Sequence, residues 1–415
     1  MTAPAGTRED AASTGPAPAP RAGDARVDAL LQLVQEQLGM DAAFVNQFVG
    51  DTGHFRNVTS VEPIALRAGS TAPREASYCQ LIVDGEIDGV LPDVAHHRLV
   101  RSAPSTQDLG IAAFIGVPVT RRDGSLYGTL CVYAHSARPE LGERDETVLR
   151  AAARMLSVVV EEEEADERRR AGQLARLDTL LASGGPDLVF QPLTELSTGV
   201  TVGFEALSRF AEGTPDAWFD MARSIGATSR LELAALDQAV LALGSAPGYV
   251  AVNISAATVM APGFEDHVGH LPLERLVLEI TEHEPVEDYD ALTRSLRGLR
   301  DRGLRLAIDD AGAGFASMRH VIALEPDIIK LDISLVRGID DHLGRQAFAA
   351  AMAAFASKIE ATTVAEGIET AAELAALRDI GVELGQGFHL ARPAPVPTPV
   401  AARPGLFDGV RSTGV

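Results

Sequence analysis

Leu304-Arg305-Leu306-Ala307-Ile308-Asp309-Asp310-Ala311-Gly312-Ala313-Gly314-Phe315 begins as an alternating apolar run and ends abruptly in two adjacent carboxylates. Leu304, Leu306 and Ile308 read as a buried strand, and Gly312 and Gly314 let the following backbone fold closely over whatever sits at its end. Adjacent acids at the mouth of a buried strand repel each other and are costly to desolvate, so a cation is their natural neutraliser. A lone Asp-Asp is better read as an Asx-type turn closing a strand. The same ending recurs on other strands of this half of the chain, and the recurrence favours the cation.

The 415 residues allow two domains with linkers, and an apolar content of 46% supports a sizeable core. A formal net charge of −22 argues against nucleic-acid polymers and anionic membranes as partners. No charge-free apolar run is long enough to span a bilayer, and no apolar leader opens the chain. Cys79 and Cys131 are too few for a disulfide framework or a cysteine metal site, which points to a reducing cytoplasm. Lys330 and Lys358 are the only lysines among 36 basic residues, so each retained lysine is a candidate for a specific role.

Residues 1–24, rich in Ala, Pro, Gly and Thr, are expected to form a disordered tail. From Arg26 the apolar spacing of Val27, Leu30, Leu31, Leu33, Val34 and Leu38 predicts a helix stopped by Gly39. Strands are expected at 42–49, 114–119 and 126–133, the last two joined by a hairpin through Asp123-Gly124, before helical periodicity returns over 143–160. This order describes a small α+β sensor fold over residues 25–160. It resembles a GAF domain through Ser77-Tyr78-Cys79, Val94-Ala95, Gly116-Val117-Pro118-Val119, and Asp123-Gly124 leading to Gly128-Thr129-Leu130-Cys131-Val132. The resemblance implies a pocket for a small ligand that the sequence does not name. Cys79 could attach a chromophore or sense oxidation, but Gln80 stands where a His is expected beside a bilin-binding Cys, so a small buried thiol is the preferred reading. Cys131 reads as packing, and His96-His97 as a solvated loop rather than a metal or haem pair.

Residues 161–184 form a charged helical linker, with acids four residues ahead of arginines and Leu174, Leu177 and Leu181 at heptad-like spacing. Two readings stand side by side: a solvated spacer, or a two-stranded signalling helix in a homodimer.

Between 185 and 396 short apolar runs alternate with helical segments, the order of a TIM-like (β/α)8 barrel, so the chain is α/β with an N-terminal α+β domain. Strands are expected at 188–191, 203–208, 249–254, 275–281, 304–309, 328–332, 363–366 and near 387–390. Their ends carry Gln191, Glu205 with Arg209, Asn253, Glu279 with Glu282, Asp309 with Asp310, Lys330 with Asp332, Glu366, and Gln386. In a parallel barrel these converge on the rim where barrel active sites lie. Glu205, Glu279, Asp309, Asp310 and Glu366 with the amide oxygen of Asn253 are hard oxygen donors, which favours Mg²⁺ or Mn²⁺ over zinc. The surplus of acids suggests two ions bridged by Asp309, the arrangement for phosphoester hydrolysis, with Lys330 and Glu366 orienting or deprotonating the attacking water. Arginine could not easily replace a compact ammonium there.

Gly203-Phe204-Glu205-Ala206-Leu207-Ser208-Arg209, Val252-Asn253-Ile254-Ser255, Glu279-Ile280-Thr281-Glu282, Asp309-Asp310-Ala311-Gly312-Ala313-Gly314, Ile329-Lys330-Leu331-Asp332, Ala365-Glu366-Gly367-Ile368-Glu369 and Gly385-Gln386-Gly387-Phe388 together resemble the EAL-domain cyclic-di-GMP phosphodiesterases. The resemblance implies hydrolysis of cyclic di-GMP to the linear dinucleotide. It assigns Glu205, Asn253, Glu279 and Asp309 to one metal ion, Asp309 and Asp310 to a second, and Lys330 and Glu366 to the water, with Glu366 also near a metal. Gln191 and Arg209 would contact the substrate, Leu207 would pack beneath it, and Gln386 would support the site. Glu282 would steady the loop after Asp310, where Ala311 and Ala313 replace a usual Phe and Thr. The alternative is a non-catalytic cyclic-di-GMP receptor on the same barrel, which would be expected to have lost metal or water-positioning residues.

Overall fold

A computed structural model of the chain describes residues 24–75, 77–280, 286, 288–311 and 315–397. Residues 1–23 of the expected N-terminal tail, Glu282 and Ala313 lie outside these residues. The chain divides into two compact units, Met1–Arg169 and Arg170–Val415.

The first unit is built on a six-stranded antiparallel sheet of order β3-β2-β1-β6-β5-β4. Its strands are β1 (Ala42–Val49), β2 (Thr52–Ser60), β3 (Thr71–Pro73), β4 (Val90–Leu91), β5 (Ala113–Thr120) and β6 (Leu126–Ala134). Its helices are α1 (Asp24–Leu38), α2 (Tyr78–Val83), α3 (Pro104–Asp108) and α4 (Glu143–Ala182). The 40-residue α4 joins the expected closing helix and the expected linker helix into one element. Side chains alternate across the sheet with period two, and both faces are covered. Ala43, Val45, Ile115, Val117, Leu130 and Val132 meet Leu31 of α1 and Leu149 and Leu156 of α4. Phe44, Phe114, Cys131 and Tyr133 face the other way, onto Tyr78 and Cys79 of α2. The central strands are therefore apolar throughout, whereas β2 is half-buried and mixed in character, which hid it from a periodicity reading. At the expected hairpin Gly124 has φ 84°, and Arg121 N–H donates to Ser125 O at 2.8 Å.

The second unit is a closed eight-stranded barrel: β7 (Asp187–Glu195), β8 (Thr201–Arg209), β9 (Tyr249–Ile254), β10 (Leu276–Ile280), β11 (Arg305–Ala311), β12 (Ile328–Leu331), β13 (Thr362–Ala365) and β14 (Leu384–Gly385). Helices such as Thr228–Ala242, Tyr289–Arg300, Leu343–Lys358 and Ala371–Ile380 alternate with the strands, and the large core lies between the two layers.

Two features differ from the sequence expectation. β7 is antiparallel to both neighbours, β8 and β14. The connection between β7 and β8 is too short for a crossover and closes as a turn, with Glu195 N–H donating to Val200 O at 2.9 Å, so the chain must return antiparallel. The last strand is Leu384–Gly385, not a run near Gly387–Leu390, which is a turn. A Cβ on Gly387 would lie 2.2 Å from both the N and the O of Ile368, so the chain at 387 presses on the backbone after β13 and leaves no room for a ladder. Among the described residues no helix is long and apolar enough to cross a membrane.

The close approach at Gly387 makes a test of the barrel seam. Gly387→Val should lower stability by about 1–3 kcal/mol through overpacking, seen as an earlier denaturant midpoint; an unchanged midpoint would contradict the packing described.

Candidate functional site

The barrel interior is layered. Leu193, Tyr249, Ala251, Val277, Ala307, Ile328, Val364 and Leu384 form an apolar cluster inside it. Two residues further along each parallel strand, on the same face, stand Asn253, Glu279, Asp309, Lys330, Glu366 and Gln386, and Glu205 follows Gly203 in the same way on β8. On the antiparallel β7 the step runs backwards, from Leu193 to Gln191, and the register pairs Gln191 with Glu205. All eight strands thus contribute one polar side chain to a single layer above an apolar floor. Asn253 and Glu279 stand in register, whereas Glu279 pairs with Ala307, so Asp309 enters two residues further along its strand, the stagger of a closed barrel.

Lys330 stands at its centre. The ammonium Nζ lies 2.7 Å from a Glu366 oxygen, 2.8 Å from Glu279, 3.1 Å from Asp309 and 3.5 Å from Glu205. Its side chain is 1% exposed, so water screens none of these pairs effectively. Burial alone lowers a lysine pKa, but Asp309, Glu205, Glu279 and Glu366 more than reverse this and hold Lys330 well above its ordinary value. Burial pushes Glu279 well above the usual carboxylate range against the pull of Lys330, with Glu205 and Asp309 adding repulsion. Glu366 is pushed up to about 8, chiefly by burial, again against Lys330.

Amides complete the ring. Asn253 Nδ2 donates to Glu205 Oε1 at 3.1 Å, and Gln386 Nε2 donates to the other Glu205 oxygen and, at 3.3 Å, to Gln191 Oε1. Gln191 Nε2 donates in turn to the Ala391 carbonyl at 3.3 Å. Gln386 is buried, and its Oε1 has no hydrogen-bond partner.

The paired acids of the opening stretch sit in a β-bulge. The β11–β12 register shifts between Ile308 and Ala311, and Asp310 takes the left-handed conformation with φ 55°, which Asp tolerates better than most residues. The extra residue lets both acids reach the rim, where Asp310 N–H donates to Asp309 Oδ1 at 3.0 Å. Asp309, Asp310 and Glu366 each offer an oxygen, all within 4.8 Å of one another. Four carboxylates (Glu205, Glu279, Asp309 and Glu366) thus share one ammonium, with Asp310 beside Asp309 and Glu366 as a fifth acid, and this imbalance of hard oxygen donors fits divalent cations.

A cleft of about 310 Å³ opens beside Asn253 and is lined by Leu207, Arg209, Phe219 and Arg223. Arg209 is exposed at the end of β8, and its guanidinium donates to the Ser208 carbonyl at 2.8 Å. Asp332, at the end of β12, caps the next helix through Ser334 N–H at 2.9 Å instead of joining the layer.

Two supporting acids were not singled out from the sequence. Glu232 is buried on the helix Thr228–Ala242 and accepts from Ser255 N–H at 3.1 Å and Ser255 Oγ at 2.8 Å, fixing the turn two residues after Asn253. Glu373 accepts from the N–H groups of Gly338, Glu369 and Thr370. Burial would raise its pKa, and these backbone bonds bring it below the ordinary value. It anchors the loop after Glu366, and its capping box with Thr370 was readable as T-x-x-E. Glu232 has no local signal.

The EAL domain family model matches residues 174–393, more than half of the chain. The chain belongs to the EAL-domain family. Residues 23–160 match the GAF domain model, so a GAF domain precedes the EAL domain. The cyclic di-GMP phosphodiesterase NbdA of Pseudomonas aeruginosa is 33% identical over 228 residues, 51% of this chain and 29% of NbdA. The uncharacterized protein Rv1357c of Mycobacterium tuberculosis is 32% identical over 232 residues, 50% of this chain and 75% of that protein. The chain spans 31% of the length of a matching Azorhizobium caulinodans protein, under a third as with NbdA. In fold, the barrel is similar to the Xanthomonas citri FimX EAL domain solved in complex with c-diGMP, with a TM-score of 0.51 at 20% identity over 57% of this chain and 98% of that one.

Lys330→Met strands the carboxylates around it and should cost the ion-free EAL domain about 3–5 kcal/mol of stability; urea unfolding with chelator present would show this, and an unchanged midpoint would contradict the central role of the ammonium. A carboxyl raised from 4.5 to about 8 on folding, as Glu366 is, contributes stability that is complete below pH 4.5 and lost as pH rises through 8. Chelated protein should therefore melt earlier at pH 8 than at pH 6. Mg²⁺ should raise Tm more at pH 8, because its ligands must be ionised, and Glu366→Gln should flatten the difference. Equal melting at both pH values in the parent chain would refute the account.

Proposed function

We propose that this EAL-family chain is a metal-dependent phosphodiesterase that hydrolyses cyclic di-GMP to the linear dinucleotide, with its GAF domain as a small-ligand sensor. The observation that carries the reading is the complete eight-strand polar layer, in which every metal and water position implied by the resemblance is occupied by a suitable side chain. A non-catalytic receptor would be expected to have lost at least one of Glu205, Asn253, Glu279, Asp309, Asp310, Lys330 or Glu366.

In this proposal Glu205, Asn253, Glu279 and Asp309 would hold one Mg²⁺ or Mn²⁺ ion, and Asp309 with Asp310 a second. When bound, the ions supply Lewis-acid charge at the phosphoryl oxygens and neutralise the excess carboxylates. The protein's own groups do the rest. Asn253 would turn its amide oxygen inward while Gln386 keeps Glu205 oriented through its Nε2. Arg209, long and exposed at the cleft that Leu207 also lines, would reach a phosphate, and Leu207 would pack beneath the substrate. Glu366, ionised once cations offset its neighbours, would accept a proton from the attacking water, and Lys330 would orient that water. Water adds at phosphorus, the bond to one ribose 3′ oxygen breaks, and that oxygen leaves with a proton. Ala313 follows Asp309 and Asp310 closely in sequence, so the missing Thr hydroxyl would bear on rate rather than on metal identity.

Purified chain with Mg²⁺ or Mn²⁺ should convert cyclic di-GMP to the linear dinucleotide, and Glu205→Ala should lower the rate by more than about a hundredfold, read by chromatography of the nucleotides. Tight binding of cyclic di-GMP without turnover under either ion would establish the receptor reading instead.

A further inference from the structure

The two cysteines of the chain, 52 residues apart in sequence, meet inside the GAF domain. Cys79 lies on α2 and Cys131 in the middle of β6, with their sulfurs 3.8 Å apart. Both are free thiols, 3% and 0% exposed. Phe44, Tyr78, Phe114 and Tyr133 belong to the same cluster, so the pair sits on the face that α2 covers and not on the face that α1 and α4 cover.

The local construction leaves the sulfurs facing each other. Cys131 pairs across the ladder with Gly116. A Cβ at Gly116 would lie 3.1 Å from Cys131 Sγ and 2.6 Å from Ile82 Cδ1, so the glycine provides the space into which Cys131 and α2 settle. Ser77 caps α2 by accepting from Gln80 N–H at 3.1 Å, which fixes the turn that delivers Cys79. Ordinary packing needs no such meeting of two sulfurs from distant segments. The sulfurs, 3.8 Å apart, are already in contact, against a disulfide bond length of about 2.05 Å.

The two thiols are also unequal. Cys131 lowers the Cys79 pKa to about 7 against the opposing effect of burial, while burial raises Cys131 well above the ordinary thiol value. Cys79, on the six-residue α2, is the thiol that a local opening would expose to attack, and Cys131, in the middle of β6, is the one left to resolve it.

We propose that Cys79 and Cys131 form a reversible disulfide within the GAF domain when the chain meets a hydroperoxide. The Cys79 thiolate attacks one peroxide oxygen, the O–O bond breaks, and the departing hydroxide takes a proton to leave as water, giving Cys79 sulfenic acid. Cys131 then attacks the Cys79 sulfur, the S–O bond breaks, and the hydroxide leaves with the Cys131 proton as a second water. Two thiols lose two electrons in all and one hydrogen peroxide gains them. A dithiol reductant returns both thiols by exchange. The oxidant enters by local opening of the six-residue α2, an excursion far smaller than global unfolding. The bond ties α2 to the central strand of the sensor sheet.

The test treats the full chain with hydrogen peroxide, quenches it, unfolds it and alkylates the remaining thiols before mass spectrometry. The expected result is a monomeric chain with neither cysteine alkylated, a cross-linked peptide joining Cys79 to Cys131 that is lighter by two hydrogen masses than its two component peptides, and recovery of both thiols after dithiothreitol. Met155, 61% exposed, reports that oxidant was present. Cys131→Ser should leave Cys79 singly oxidised with no intrachain link, and its melting curve checks that it is folded. Both cysteines still alkylated while Met155 is oxidised, over-oxidation to sulfinic acid without a link, or a link only between two chains would each overturn the proposal.

Discussion

One ammonium shared by four carboxylates is the constraint on which the EAL domain turns. Lys330 is fully enclosed, and Glu366, Glu279, Asp309 and Glu205 lie within 3.5 Å of its nitrogen. A lone lysine buried in this way would give up its proton, and a lone pair of buried acids would take one up. Together they hold each other in register, although the carboxylates outnumber the cation. The barrel architecture makes this possible because each strand enters the layer from a different direction, rigidly hydrogen-bonded to its neighbours. The apolar floor below excludes water from one side only, so the surplus negative charge faces the open rim where cations and a phosphate can approach.

The same geometry explains why so few residues define the site. A strand alternates inward and outward, and each contributes one inward position per layer. Asp310 escapes this rule through a bulge and a left-handed backbone, and it thereby gives the rim a second acid from a single strand. Around the ring the supporting bonds come from elements outside the barrel wall. Glu232 holds Ser255, two residues after Asn253, and Glu373 gathers three backbone N–H groups of adjoining loops. The adjacent GAF domain uses alternation differently: its central strands are apolar on both faces because helices cover both sides.

Much of this was legible in the chain. Apolar runs ending in Glu, Asn, Asp or Lys marked most barrel strands, and a parallel barrel carries such ends to one rim. The antiparallel β7 was not marked, because alternation carries no direction; only the short turn between Glu195 and Thr201 encodes it. That reversal is why Gln191, in the middle of a nine-residue strand, still reaches the layer. The two-residue β14 is too short for any period, and the glycine at 387 contacts a backbone nineteen residues earlier in sequence. Cys79 and Cys131 offered no sign of one another, since their meeting depends on a six-residue helix crossing a sheet. Glu282 and Ala313 fall outside the described residues, so their expected roles rest on resemblance.

The central claim is that this carboxylate layer is a divalent-ion site. Anomalous diffraction from crystals of the protein grown with Mn²⁺ tests it directly. The account predicts two manganese peaks sharing Asp309, one also against Glu205, Asn253 and Glu279, the other against Asp310. A map with no peak in the barrel, with Lys330 still bonded to Glu279, would contradict it.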